Sequence, residues 1–71
     1  MIKLSELIDW IDIDTKITVR HASDSHVLAV HTPREYDVDS PDCGLVYIEA
    51  VGKNEVEVWT HDYPKQQGGV L

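Results

Sequence analysis

Phenylalanine is absent from this 71-residue chain, and cysteine and methionine occur once each. With Cys43 alone no intramolecular disulfide can form, which excludes a small disulfide-stapled secreted scaffold and makes a reducing cytoplasm the expected setting. Basic residues are scarce too: six Lys and Arg stand against thirteen Asp and Glu, a formal charge of −7. That balance opposes binding to a phosphate backbone, so direct nucleic-acid binding is not expected, although a negative field can attract a basic protein surface. No apolar run approaches the ~20 residues that cross a bilayer, and the opening Met1-Ile2-Lys3-Leu4-Ser5-Glu6 lacks the apolar stretch of a signal peptide. Neither membrane insertion nor export is expected.

A chain of this length holds one core and no separate cofactor domain. A helix and a few strands use most of their apolar residues in closing that core, and little remains to wall a catalytic cleft. The expectation is a binding protein without enzyme activity and without a cofactor.

What is present reads as one helix and four strands. Leu4, Leu7, Ile8 and Ile11 follow the i, i+3, i+4, i+7 spacing of a helix face, with Ser5 placed to cap the helix and Glu6 and Asp9 near its positive end. Ile17 and Val19 alternate with Lys16, Thr18 and Arg20 as in a half-buried strand, and after the polar turn 22–25 the segment His26–His31 returns. That pairing puts Leu28 and Val30 on the face of Ile17 and Val19. The stretch from Thr32 to Asp42, with two prolines and four acidic residues, reads as a loop. A second hairpin follows, Leu45–Val51 and Glu55–Thr60 around Gly52-Lys53-Asn54. A three-residue turn there sets Tyr47 opposite Trp59 and Glu49 opposite Glu57, with Val46, Ile48 and Ala50 inward. The expected architecture is α+β: an N-terminal amphipathic helix on one face of a four-stranded antiparallel sheet made of two hairpins. The domain spans residues 1–62, and residues 63–71 form a flexible C-terminal tail.

Several chemical constellations are weak. His21, His26 and His31 recur at five-residue intervals, whereas ligand pairs sit four apart on a helix or two apart on a strand. A hairpin brings His21 across from His26 without an obvious third ligand, so a metal-binding protein is an alternative and no metal site is assigned. Cys43 has no base beside it in sequence. The run Asp37-Val38-Asp39-Ser40-Pro41-Asp42 lacks the glycine and terminal glutamate of a calcium loop. Gly68-Gly69 near the end does not make a ubiquitin-like tail, because that fold opens with a hairpin and this chain opens with a helix.

One short helix covers only one face of a four-stranded sheet. Tyr47 and Trp59 on the other face, ringed by Lys16, Arg20, Glu49 and Glu57, have the aromatic centre and charged rim of a protein contact or a homodimer seam. Asp37, Asp39 and Asp42, with Glu49 and Glu57, form a second candidate set that could stand in for nucleic-acid phosphates.

The segments Lys3-Leu4-Ser5-Glu6-Leu7-Ile8 and Asp14-Thr15-Lys16-Ile17-Thr18-Val19, with the later Val46–Ala50 and Asn54–Val58, resemble short uncharacterised αββββ proteins encoded by bacteriophages and mobile elements of Gram-positive bacteria. The resemblance covers the two ends of the domain. It implies a compact accessory protein without an enzymatic role, acting in a host cytoplasm, and it brings no site residues with it. Genes of this class often encode inhibitors of host enzymes or anti-defence proteins. The reading is a non-enzymatic protein-interaction module, with an acidic inhibitor that occupies a nucleic-acid-binding surface as its alternative.

Overall fold

In the computed structural model, residues 2–37 and 39–63 are described. A short helix α1 (Leu4–Ile8) precedes strands β1 (Lys16–His21), β2 (Val27–His31), β3 (Tyr47–Gly52) and β4 (Glu55–Thr60), with a 3-10 turn at Pro33–Glu35. The strands form one sheet in the order β2-β1-β4-β3. Val38 and the expected tail from residue 64 onward, with Gly68-Gly69, lie outside the described residues. Tyr63 is half-buried against the core.

The sheet is mixed, which corrects the antiparallel α+β architecture expected from the sequence. β1 pairs antiparallel with β2, and β3 with β4, but the two central strands β1 and β4 run parallel, from Lys16↔Glu55 to His21↔Thr60. The physical reason lies in the chain between the hairpins. β2 and β3 occupy opposite edges and run in the same direction, so the segment between residues 32 and 46 must carry the chain back along the strands and across the sheet. Parallel relationships need a connection of a dozen or more residues, and this one is long enough. It crosses the core face, contributing Cys43 and Leu45 to the buried cluster and Tyr36 to its margin. The connection, and not the helix alone, covers the sheet.

Leu4, Leu7, Ile17, Val19, Cys43, Leu45 and Val58 make up the core, with Ile17, Val19 and Val58 from the two central strands wholly shielded. Asn54, in the left-handed conformation with φ 59°, closes the β3–β4 turn. Its carbonyl accepts the Lys16 N–H at 2.8 Å, which starts the parallel pair.

Helix α1 is only five residues long, a correction to the two-turn amphipathic helix. No basic residue balances the negative pole of its last turn, Asp9 sits at that pole as the C-cap, and Asp12 turns the chain by accepting the Asp14 N–H at 2.8 Å. Its start is held from a distance. Lys3 is the N-cap, its own N–H donating to the Glu6 carboxylate at 2.8 Å, while the Leu4 N–H donates to the Cys43 carbonyl at 2.9 Å. Ser5, the expected cap, lies inside the first turn. Its N–H and hydroxyl both donate to the Asp42 carboxylate, at 3.0 and 2.8 Å. These bonds bring partners together across 37 residues of chain.

A third correction concerns β2. An irregularity where Val19 pairs with Ala29 and Arg20 with Val27 inserts Leu28 as an extra residue, so Leu28 and Ala29 both pack on the core. Val30 therefore sits beside Thr18 on the opposite face and is 53% exposed. β3 is exposed along its whole length, so Val46, Ile48 and Ala50 are not enclosed as expected.

Burial alone would raise the Asp42 carboxyl pKa, but the Ser5 N–H and hydroxyl and the Cys43 N–H outweigh it and hold the group below its usual value. A folded-state pKa below the unfolded one contributes stability above the unfolded value, and that contribution is lost as pH falls through the folded one. Asp42→Ala should lower unfolding stability by about 1–2 kcal/mol at neutral pH, the worth of a helix cap. In urea denaturation the gap from wild type should close below about pH 4, where the carboxylate is protonated.

Candidate functional site

The alternation that buries Ile17, Val19 and Val58 turns Thr18, Arg20, Glu57 and Trp59 to the other face, where Thr18 is buried among its neighbours and the other three stay part-exposed. Strand register lays this face out in rows. One row runs Val27, Arg20, Trp59, Tyr47 across the four strands, and the next runs Val30, Thr18, Glu57, Glu49. Val27 and Tyr47 are 50% and 56% exposed.

The centre of the face is held by polar bonds. The Arg20 guanidinium donates through Nε and Nη2 to the two Glu57 carboxylate oxygens, at 3.1 and 3.3 Å, and through Nη1 to the Ser25 carbonyl at 2.7 Å. The Trp59 indole donates to the Ser25 hydroxyl at 3.0 Å. Tyr47 meets Trp59 edge to face, with ring centroids 5.2 Å apart and planes 63° apart. Two large side chains are thereby fixed with part of their surface free, which lowers the entropy cost of a contact made there.

Tyr47, Trp59, Glu49 and Glu57 thus come together. The pairing of Tyr47 with Trp59 and Glu49 with Glu57 follows from a two-residue turn at Lys53-Asn54 plus one extra residue at Val51, the same net offset as a three-residue turn. Glu57 is paired with Arg20, while Glu49 has no ion-pair partner among the described residues. Asp37, Asp39 and Asp42 lie elsewhere, in the connection that covers the core face, so the seven residues singled out in the sequence divide between two sides of the molecule. Asp37 is tied into a local turn, its carboxylate accepting the Asp39 N–H at 2.9 Å. Asp42 caps α1. Between α1 and this connection runs an open groove of about 500 Å³, lined in part by Ser5, Ile8, Asp9, Tyr36, Asp37 and Asp42.

Two residues of the open face escape sequence reasoning. Val30 arrives there through the extra residue in β2. Ser25 is placed by a left-handed turn conformation with φ 66° that no glycine or asparagine signals.

Cys43 is buried, and burial first, then the Asp62 and Asp42 carboxylates, push its thiol pKa up, against a hydrogen bond with Thr60 that lowers it. An un-ionised thiol is a poor nucleophile. His31 lies apart from the other histidines, opposite Ile17, and burial lowers its pKa. Among the described residues no three His, Cys, Asp or Glu side chains converge in an arrangement that could hold a metal ion. Among them, too, no helix is long and apolar enough to cross a membrane.

Arg20 and Glu57 keep only 27% and 24% of their side-chain surface exposed, and their pairing is two-pronged. A double-mutant cycle with Arg20→Met and Glu57→Gln should give a coupling of about 1 kcal/mol, above most exposed surface pairs. The check is the unfolding free energy of the four proteins in low salt.

No protein-family model, curated protein or solved structure matches the chain.

Proposed function

We propose that the chain is a non-enzymatic protein-interaction module whose contact surface is the open sheet face around Tyr47 and Trp59. The observation that carries this reading is the combination found there. Val27, Val30 and Tyr47 each leave about half their surface in water, while Arg20 and Trp59 beside them are fixed by Ser25 and Glu57. Aromatic and arginine anchors within an apolar patch are the residue types that dominate protein contacts. The resemblance to phage and mobile-element accessory proteins supports a bacterial host protein as the partner, and the lone buried Cys43 supports action in a reducing cytoplasm.

The test is affinity capture from a bacterial lysate, with partners identified by mass spectrometry and compared across variants. Tyr47→Lys and Val30→Asp should each cut recovery of the partner at least ~10-fold, since loss of one anchor costs more than ~1.4 kcal/mol. Trp10→Ser, which removes an apolar side chain that is 80% exposed and off this face, should leave recovery unchanged. Unchanged recovery with both face variants refutes the reading.

Mimicry of nucleic-acid phosphates keeps one specific observation in its favour: Glu49 stands beside Glu57 with no ion-pair partner among the described residues, in a chain of net charge −7. A partner captured through charge should be lost at high salt and on charge reversal at Asp37 and Asp39. A partner held by the aromatic face should survive both. A second copy of the chain as the occupant should appear as a concentration-dependent dimer that Tyr47→Lys dissociates.

A further inference from the structure

Three of the four histidines gather at one end of the sheet. His21 ends β1, His26 precedes β2 and His61 follows β4. The His21 and His26 rings stack with centroids 5.4 Å apart and planes within 6° of parallel, and His61 stands edge-on to His21 at 6.0 Å. The turn they frame, residues 22–25, also fixes the open face, because the Ser25 carbonyl takes Arg20 and the Ser25 hydroxyl takes Trp59.

That turn depends on His21 from both sides. Ser25, in a conformation that a serine adopts only when its surroundings impose it, donates its N–H to the His21 carbonyl at 2.8 Å. The Ser23 N–H donates to His21 Nδ1 at 3.1 Å, and the Ser23 hydroxyl lies 2.8 Å from the same nitrogen. The imidazole thus plays the part that an asparagine carbonyl plays in a local side-chain turn. A ring nitrogen can accept that N–H only while it carries no proton of its own.

We infer that His21 is a pH-sensitive latch on the contact face: a proton on its Nδ1 opposes the Ser23 N–H, displaces the turn 22–25 and frees Trp59 and Arg20 from Ser25. The face is assembled at neutral pH and loosened in mild acid. This rests on the reading of that face as the contact surface.

The charged groups around His21 do not cancel the effect. From β2's side, His26 Nδ1 is already hydrogen-bonded to the Asp24 carboxylate, which also accepts the His26 N–H at 3.1 Å. Those backbone and side-chain bonds hold the Asp24 carboxyl below its usual pKa, with weaker attractions from the His26 and His21 charges. Asp24 is therefore engaged chiefly by His26. From β4's side, the His61 ring stands edge-on to His21, and the neighbouring Asp62 carboxylate accepts the Gly44 N–H at 3.3 Å. On the open face Arg20 and Glu57 neutralise each other. Protonated His21 thus faces two other imidazoles, the Ser23 hydroxyl, which can turn to accept from Nδ1, and the Ser23 N–H, which is left without its acceptor.

The experiment follows backbone amide and indole N–H signals by NMR as the full chain is taken from about pH 8 to about pH 5, the range in which histidines change charge. The Ser23 and Ser25 amides and the Trp59 indole should move in a single transition with the His21 ring, while the Trp10 indole, 80% exposed, stays in place. His21→Asn supplies a non-titrating acceptor for the Ser23 N–H and should abolish the Trp59 transition, whereas His26→Gln should retain it. A Trp59 indole that does not move in the wild type, or one that moves undiminished in His21→Asn, overturns the latch. If His21→Asn does not fold, the wild type still decides, since a Trp59 midpoint different from that of the His21 ring also overturns it. The readout needs no partner, so a static Trp59 removes the latch and leaves the contact reading standing. Full partner recovery by both Tyr47→Lys and Val30→Asp removes the contact reading and leaves only the pH response of the turn.

Discussion

Everything in this fold depends on the parallel pairing of β1 with β4. Each hairpin alone is two strands with one apolar side, a unit of marginal stability in water. Joined through their inner strands, they place Ile17, Val19 and Val58 where neighbours shield them on all sides. The same join forces the chain between β2 and β3 to travel from one edge to the other, and that obligation makes the connection into a cover. Along the way it delivers Cys43 and Leu45 to the core and the Asp42 carboxylate to the start of α1. A helix of five residues would not form in isolation, and the three bonds that Leu4 and Ser5 make to residues 42 and 43 explain why it forms here.

With one face covered by helix and connection, the other is left to solvent. Its polar bonds are not incidental decoration, since Ser25 joins the β1–β2 turn to Arg20 and Trp59, and Glu57 joins β4 back to Arg20. A patch of valine, tyrosine and tryptophan around such a network is the surface proposed to meet another protein, and its layout depends on whatever holds the turn. The acidic residues then fall into two kinds. Asp42 and Asp37 serve the covering layer, whereas Glu49 and Glu57 stand on the open face, so one net charge conceals two different tasks.

Local signals in the sequence locate the strands. The Ile17 and Val19 alternation, the Gly52-Lys53-Asn54 punctuation and the Val56 and Val58 alternation each depend on a few neighbouring residues, and Tyr47 faces Trp59 as an odd-residue offset requires. What the sequence conceals is non-local or a matter of a single residue. The direction of β4 against β1 is decided by the route of the chain between residues 32 and 46, although the length of that segment was a sign that two adjacent hairpins need not be joined antiparallel. The extra residue at Leu28 reverses the facing of Val30, a change that no residue type announces. Ser5 looked like a helix cap because its type favours caps, yet the capping carboxylate comes from Asp42, 37 residues away. The gathering of His61 with His21 and His26 follows from the same parallel pairing, which sets the ends of β1 and β4 side by side.

The direct test of the account is a set of interstrand proton contacts measured by NMR on the full chain. Parallel pairing of β1 and β4 gives contacts from Lys16 to Asn54 and Glu55 at one end of the sheet, and from His21 to Thr60 at the other. Contacts from Lys16 to Thr60, or from His21 to Glu55, would mean an antiparallel centre and would contradict it. In that case the crossing connection, the capped helix and the layout of the open face would all have to be abandoned together.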